Sequence, residues 1–132
     1  MSHSPLYEIP NARQHAGEPL RRWFYSFEQD LYVWTNESEE IVAFQLCYGK
    51  RASHSALHWH HESGFKHLHV REGGYGTPLL VANGHFDKAA VLESFHALSA
   101  QVPADITAFV RTRLDAYPIA GENSGSQLPS PP

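Results

Sequence analysis

Cysteine and long apolar runs are scarce in this chain of 132 residues. Cys47 is the only cysteine, so an internal disulfide and a cysteine-based zinc finger are both excluded. No apolar run approaches the ~20 residues that a membrane-spanning helix needs. The first 19 residues are polar and contain three prolines, which is not typical of a signal peptide. We therefore expect a cytoplasmic protein without membrane contact.

Positive charge is also in short supply. The 10 lysines and arginines are outnumbered by 14 acidic residues, which gives a formal net charge of −4. A general nucleic-acid binder needs a surplus of cations to neutralise phosphates, so we expect no nucleic-acid partner. A hydrophobic fraction of 42% is typical of a folded protein, and the length suffices for one domain with a core.

The two ends of the chain differ in composition from its middle. Residues 1–19 predict an irregular N-terminal arm, because prolines interrupt them. Residues 118–132 are rich in proline, serine and glycine and predict a disordered tail. We expect residues 20–117 to form a single domain.

The first part of this domain contains runs rich in β-branched and aromatic residues, which are typical of strands. The connections between them are short and polar, so neighbouring strands must be antiparallel. The pattern predicts a meander with strands in sequential order. The predicted strands are Arg21–Ser26, Leu31–Asn36, Glu40–Tyr48, Ser55–His61, Lys66–Arg71 and a short sixth strand at Leu79–Ala82.

The apolar period changes to a helical one after Asp87, which is a good N-cap residue. One helix is predicted through about residue 101, and Pro103 then fits the first turn of a second helix that Pro118 stops. The fold class that we predict is α+β. An antiparallel meander sheet of five to six strands is followed by two C-terminal helices packed on one face.

Histidine is the residue type that stands out, because six of the ten histidines lie between positions 54 and 69. His58 and His60 form one His-x-His pair, and His67 and His69 form another. Residues two apart in a strand point to the same face of the sheet. Each pair can therefore present two imidazoles side by side.

The turn between the two histidine strands decides whether the pairs meet. A two- or four-residue turn would place His58 opposite His69 and His60 opposite His67, with the apolar neighbours together on the other face. A three-residue turn would mix histidines with Leu57 and Trp59. We favour the first register, in which four imidazoles share a face and His54 and His61 are loop or edge residues.

Three kinds of site are compatible with these residues. The first is a zinc or copper site on His58, His60, His67 and His69, which could support hydrolysis if one coordination position stayed open. The second is a nucleophilic pair of Cys47 with a neighbouring histidine, although no strained nucleophile turn accompanies it.

The third kind of site is a binding or oligomerising surface. Two helices can cover only one face of the sheet, and the other keeps aromatic or apolar side chains. Alternation places Gln45 and Cys47 on the histidine face, and Tyr75 lies in the glycine-rich loop at Gly73–Gly76. A homodimer or an unidentified small ligand would cover this face. We favour this non-enzymatic function, and the metal site is the alternative.

Six segments of the chain carry a resemblance to known proteins. They are Arg21–Phe24, Asp30–Trp34, Ile41–Tyr48, Ala56–Trp59, Pro78–Gly84 and Phe86–Asp87. Together they resemble a family of small bacterial proteins of unassigned function over about residues 21–117. The resemblance implies a bacterial cytoplasmic protein, but it implies no activity, ligand or catalytic residue.

Overall fold

The fold is an antiparallel meander sheet followed by two helices, as predicted. The computed structural model describes residues 5–10, 20–50, 54–72, 78–82 and 87–117, and for 70–72 and 78–82 the backbone alone. Within these residues the sheet has seven strands in sequential order, every neighbour antiparallel. The strands are β1 (Tyr7–Glu8), β2 (Leu20–Tyr25), β3 (Asp30–Thr35), β4 (Ile41–Tyr48), β5 (Ser55–His60), β6 (Gly64–Glu72) and β7 (Pro78–Ala82), and the helices are α1 (Lys88–Leu98) and α2 (Ala104–Ala116).

Both helices pack against one face of the sheet. Phe24, Phe44 and Leu57 from the strands are fully buried with Phe95 of α1 and Val110 of α2. Alternate strand residues therefore supply the sheet half of the core, and residues at helical spacing supply the other half. Burial of this apolar surface is the main force that holds the two layers together.

The ends of the helices are fixed by specific hydrogen bonds. The Asp87 carboxylate accepts from the backbone N–H of Ala90 at 3.3 Å, which confirms Asp87 as the N-cap of α1. The Lys88 ammonium donates to the backbone carbonyls of Asp115 and Tyr117 at 2.7 and 3.2 Å. Lys88 thus joins the start of α1 to the end of α2. A cation at the C-terminal end of a helix interacts favourably with the helix dipole.

The short strand β1 was not predicted from the sequence. It lies within the predicted irregular arm and pairs with β2. Next to it, the Leu6 side chain is fully buried, and its N–H donates to the carbonyl of Leu98 at 2.8 Å. A single leucine between prolines carries no periodic signal, so only the tertiary structure reveals this strand. The predicted tail at 118–132 lies outside the described residues.

The predicted register of β5 and β6 is wrong. The connecting turn contains three residues, 61–63, and Leu57 lies opposite His67 and Ser55 opposite His69. Gly64 ends this turn with φ of 82°, a left-handed conformation that glycine adopts easily. The change from a two-residue to a three-residue turn moves His67 and His69 to the helix side of the sheet.

Candidate binding surface on the open face

The surface opposite the helices, here called the open face, carries the alternate residues of each central strand. Because Phe24, Val33 and Phe44 point into the core, their strand neighbours point away from it. The open face is therefore formed by odd-numbered residues of β2, residues 43, 45 and 47 of β4, even-numbered residues of β3 and β5, and residues 64, 66 and 68 of β6. Strand pairing continues it across the sheet, with Gln45 between Tyr32 and His58.

Six rings on the open face form a continuous series, here called the aromatic ladder. Its central pair, Trp23 and Tyr32, is stacked with an angle of 12° between the rings. The rings are partly buried, apart from the first, which is 45% exposed. Ring centroids lie 5.9, 6.2, 5.9, 6.2 and 6.0 Å apart along Tyr7, Tyr25, Trp23, Tyr32, Trp34 and His58.

Polar contacts hold the ladder at its β2–β3 end. The Asp30 carboxylate accepts from the Trp23 indole N–H at 3.0 Å and pairs with the Lys50 ammonium at 2.9 Å. The same ammonium lies 4.4 Å from the centroid of the Tyr25 ring, within the range of a cation–π contact. These contacts restrict the rings before any partner binds, which lowers the entropy cost of binding.

Gln45 connects the ladder to the strand that bears His58. Its amide N–H donates to the Cys47 sulfur at 3.6 Å, which leaves Oε1 to accept from Nδ1 of His58 at 3.2 Å. Burial lowers the pKa of His58, and the neighbouring His60 and Lys66 lower it further. The imidazole is therefore predominantly neutral near pH 7.

The predicted interface residues Gln45 and Cys47 do lie on the open face. Burial raises the pKa of the Cys47 thiol, so the thiol is protonated at neutral pH and is a poor nucleophile. Cys47 lies opposite Ala56 in the neighbouring strand rather than opposite a histidine. Tyr75 and the Gly73–Gly76 loop lie outside the described residues.

The structure does not bring the four predicted metal ligands onto one face. His58 and His60 are on the open face, whereas His67 is buried on the helix side. A hydrogen bond joins Nε2 of His67 to the Tyr48 hydroxyl. His69 is on the helix side as well, with a buried Nδ1 that has no hydrogen-bond partner. The metal set predicted from the sequence is therefore divided by the sheet.

A different group of possible ligands occurs at the turn between β5 and β6. One ligand atom from each of His60, His61 and Glu62 lies within 4.8 Å of the other two. The backbone N–H of Glu62 donates to Nδ1 of His60 at 3.1 Å, so Nε2 carries the proton in this arrangement. This group was not predicted from the sequence, because His61 was set aside as a loop or edge residue.

Among the described residues, no helix has the length and apolarity to cross a membrane. Comparison of the chain with protein-family models gives no match. Comparisons with curated proteins and with solved structures give no match either. The resemblance to small bacterial proteins therefore stays a prediction.

Proposed function

We propose that the protein is a non-enzymatic binding protein that acts through its open face, and that its partner is a second copy of the chain. The observation that supports this proposal is the aromatic ladder. It places six partly exposed rings on the sheet surface that neither helix covers. Rings of this kind are enriched in protein interfaces because they bury large areas at a small entropy cost.

The chemistry of the open face differs between its two ends. The β1–β3 end carries the rings of Tyr7 to Trp34, whose faces attract cations. The β5–β6 end carries His58, His60 and the exposed ammonium of Lys66. One end of the surface is therefore complementary to the other.

A two-fold axis parallel to β4, running between two facing sheets, satisfies this complementarity. Because β4 is the central strand of seven, the rotation places β2 over β6 of the second copy and β3 over its β5. Trp23 then lies over Lys66 of the second copy, and Tyr32 lies over its His58. Such an isologous contact is closed, so assembly stops at the dimer.

The open face is large enough for this contact. Six gaps between strands of about 4.8 Å and strands of about six residues at about 3.3 Å give a surface of roughly 29 by 20 Å. Its projected area is about 600 Å², and the accessible area exceeds the projection because rings stand out from the sheet. Stable interfaces bury about 800 Å² per partner.

The test is the molar mass of the full chain and of an open-face variant by sedimentation equilibrium. We expect twice 14.9 kDa for the wild type and the monomer mass for Lys66→Glu, which replaces the cation with a carboxylate beneath Trp23. Lys66 is exposed, so the variant is expected to fold. Arg111→Glu, which makes the same charge change on the exposed surface of α2, is the matched control and is expected to remain dimeric.

A second candidate function is binding of zinc or copper at the turn formed by His60, His61 and Glu62. The observation that supports it is that the ligand atoms of the three residues all lie within 4.8 Å of one another. Bonds of about 2.0–2.1 Å to tetrahedral zinc require ligand atoms about 3.3 Å apart, so small side-chain rotations suffice. The metal would displace the hydrogen bond that Nδ1 of His60 accepts.

Calorimetric titration of tag-free protein with zinc tests this second candidate. We expect one site in the wild type, loss of that site in His61→Ala, and no effect of His96→Ala, an exposed histidine on α1. Bound zinc must also raise the unfolding temperature by mass action. Equal zinc binding by wild type and His61→Ala would contradict this candidate.

A further inference from the structure

A groove on the helix side of the sheet has features of a small-molecule site. It has a volume of about 610 Å³ and lies between the β3–β4 turn, the end of β5 and helix α2. This size is within the ~300–1,000 Å³ typical of ligand pockets. Its walls combine apolar residues, among them Ile41 and Phe109, with the guanidinium of Arg113 and three carboxylates. The groove is separate from the open face.

A stack of planar groups ends at this groove. The Phe44 and Trp59 rings are stacked with centroids 5.9 Å apart, and the Arg113 guanidinium carbon lies 4.9 Å from the Trp59 centroid. The same carbon lies 4.5 Å from the centroid of Phe109, whose ring packs edge-on against Trp59. The aromatic contacts therefore fix the guanidinium in place at the groove wall.

This guanidinium has aromatic neighbours but no hydrogen-bond acceptor among the residues that the structure describes. Nε of Arg113 is buried without a hydrogen-bond partner, and no ion pair joins Arg113 to another described residue. The guanidinium also lines the groove, so an occupant that brings an acceptor to its other N–H groups is favoured. A carboxylate is the acceptor that matches the two parallel N–H groups of a guanidinium.

Groups of the opposite charge line the same groove without reaching Arg113. They are the carboxylates of Glu39, Glu40 and Asp105. The turn that carries the first two is held by Asn36, whose Oδ1 accepts from the N–H groups of Ser38 and Glu40 at 2.9 and 3.0 Å. Asn36 Nδ2 also donates to the Glu40 carboxylate at 3.0 Å. An ammonium group is the natural partner for this side of the groove.

We propose that this groove binds a small amphipathic zwitterion of the α-amino-acid type. The ligand carboxylate pairs with Arg113, its ammonium lies among the acidic side chains, and its apolar side chain contacts Ile41 and the edge of Phe109. A purely anionic ligand is opposed by three carboxylates, and a purely cationic one leaves the Arg113 donors unsatisfied. Only a ligand with both charges satisfies both sides of the groove.

The test uses phenylalanine as the probe and the indole N–H signals of the full chain in nuclear magnetic resonance spectra. Trp59 lines the groove, whereas Trp23 and Trp34 lie on the open face and serve as internal controls. We expect phenylalanine to shift the Trp59 signal alone, with a dissociation constant on the order of 1 mM for so small a ligand. Phenylalanine amide and N-acetylphenylalanine, which each lack one charge, are expected to bind about tenfold more weakly.

Variants assign the two charges to the residues. Arg113→Lys keeps the positive charge but loses the paired N–H groups, and we expect it to weaken binding at least severalfold; Arg111→Lys on the same helix is its control. The double variant Glu39→Gln, Glu40→Gln is expected to weaken the binding of phenylalanine more than the binding of N-acetylphenylalanine. Its control is Glu37→Gln. Glu37 belongs to the same turn but does not line the groove.

Three results would overturn the inference. The first is an unchanged Trp59 signal at 20-fold excess over the expected dissociation constant. The second is equal affinity for phenylalanine and both of its singly charged derivatives, which would indicate apolar contact alone. The third is a shift of Trp23 or Trp34 in place of Trp59. That last result would place the ligand on the open face and would leave the dimer proposal to its own sedimentation test.

Discussion

Leu57 lies directly opposite His67 across strands β5 and β6, so an apolar residue and a histidine share the helix side of the sheet. Leu57 is fully buried and His67 is 6% exposed. A buried imidazole must satisfy its polar atoms, and the Tyr48 hydroxyl provides the partner for Nε2. The histidine cluster is thus divided into a buried structural part and an exposed part on the open face.

The pair of Tyr48 and His67 predicts a measurable coupling in stability. Tyr48→Phe removes the hydroxyl and leaves Nε2 of His67 buried, which is expected to lower the free energy of unfolding by about 1–3 kcal/mol. In a His67→Leu background the same change should cost less, because the hydrogen bond between the hydroxyl and the imidazole is then already absent. Urea unfolding of the four proteins measures this difference, and additive effects would contradict the coupling.

Burial also raises the pKa of Tyr48 to about 12. We therefore expect Tyr48 to ionise well above the ordinary value of about 10 in a spectrophotometric titration of the folded protein. That high step should disappear in Tyr48→Phe. A variant that keeps the step would show that another hydroxyl is responsible for it.

The cost of substituting Gly64 is expected to depend only on how well the new residue adopts the left-handed backbone conformation. A Cβ at this position would have no atom within 4 Å, but φ of 82° is unfavourable for residues with a side chain. We predict that Gly64→Ala lowers the free energy of unfolding by about 1 kcal/mol. Gly64→Asn should cost less, because asparagine visits the left-handed region more readily. Chemical denaturation measures both, and equal costs would indicate a steric cause instead.

His58 is predicted to make stability depend on pH in mildly acidic solution. Its pKa in the folded state lies below the ordinary histidine value of about 6.5, with burial as the largest cause, so the unfolded chain binds a proton more readily. The stabilising contribution is complete above about pH 6.5 and is lost as the pH falls through the folded pKa. His58→Gln should therefore flatten the loss of stability below pH 6.5.

The matched control for this prediction is His96→Gln, since His96 is exposed on α1. The measurement is the free energy of unfolding from urea titrations between pH 7.5 and 5 at low protein concentration. An identical pH dependence in wild type and His58→Gln would show that burial of this imidazole does not contribute.

The fold could be predicted from the sequence because period and connection length act locally. Runs rich in β-branched and aromatic residues identified the strands, and Asp87 identified the start of α1. Short connections then left the meander as the only simple topology. Strand β1 could not be found in this way, because the preceding Leu6 is held by a hydrogen bond to Leu98 of α1, which is distant in sequence.

The site was harder to predict because one turn controls it. A difference of one residue in the turn before Gly64 moves every side chain of β6 to the other face. The glycine that follows three polar residues was a usable signal, since a left-handed residue commonly ends a three-residue turn. The grouping of apolar residues on one face favoured a different register, and that prediction was wrong, because His67 is buried with a hydrogen-bond partner. Strand alternation could also have predicted the aromatic ladder. Trp23 and Tyr25 share a face of one strand, and Tyr32 and Trp34 share a face of the next.

The most direct test of the proposed self-association is sedimentation equilibrium of the wild-type chain at neutral pH, over protein concentrations from about 1 to 100 μM. A dimeric interface of about 800 Å² per partner is of the size that sustains stable complexes in this range. The proposal predicts a mass of twice 14.9 kDa that falls to the monomer mass in Lys66→Glu. A wild-type chain that remains monomeric throughout, or a dimer that Lys66→Glu leaves unchanged, would contradict it.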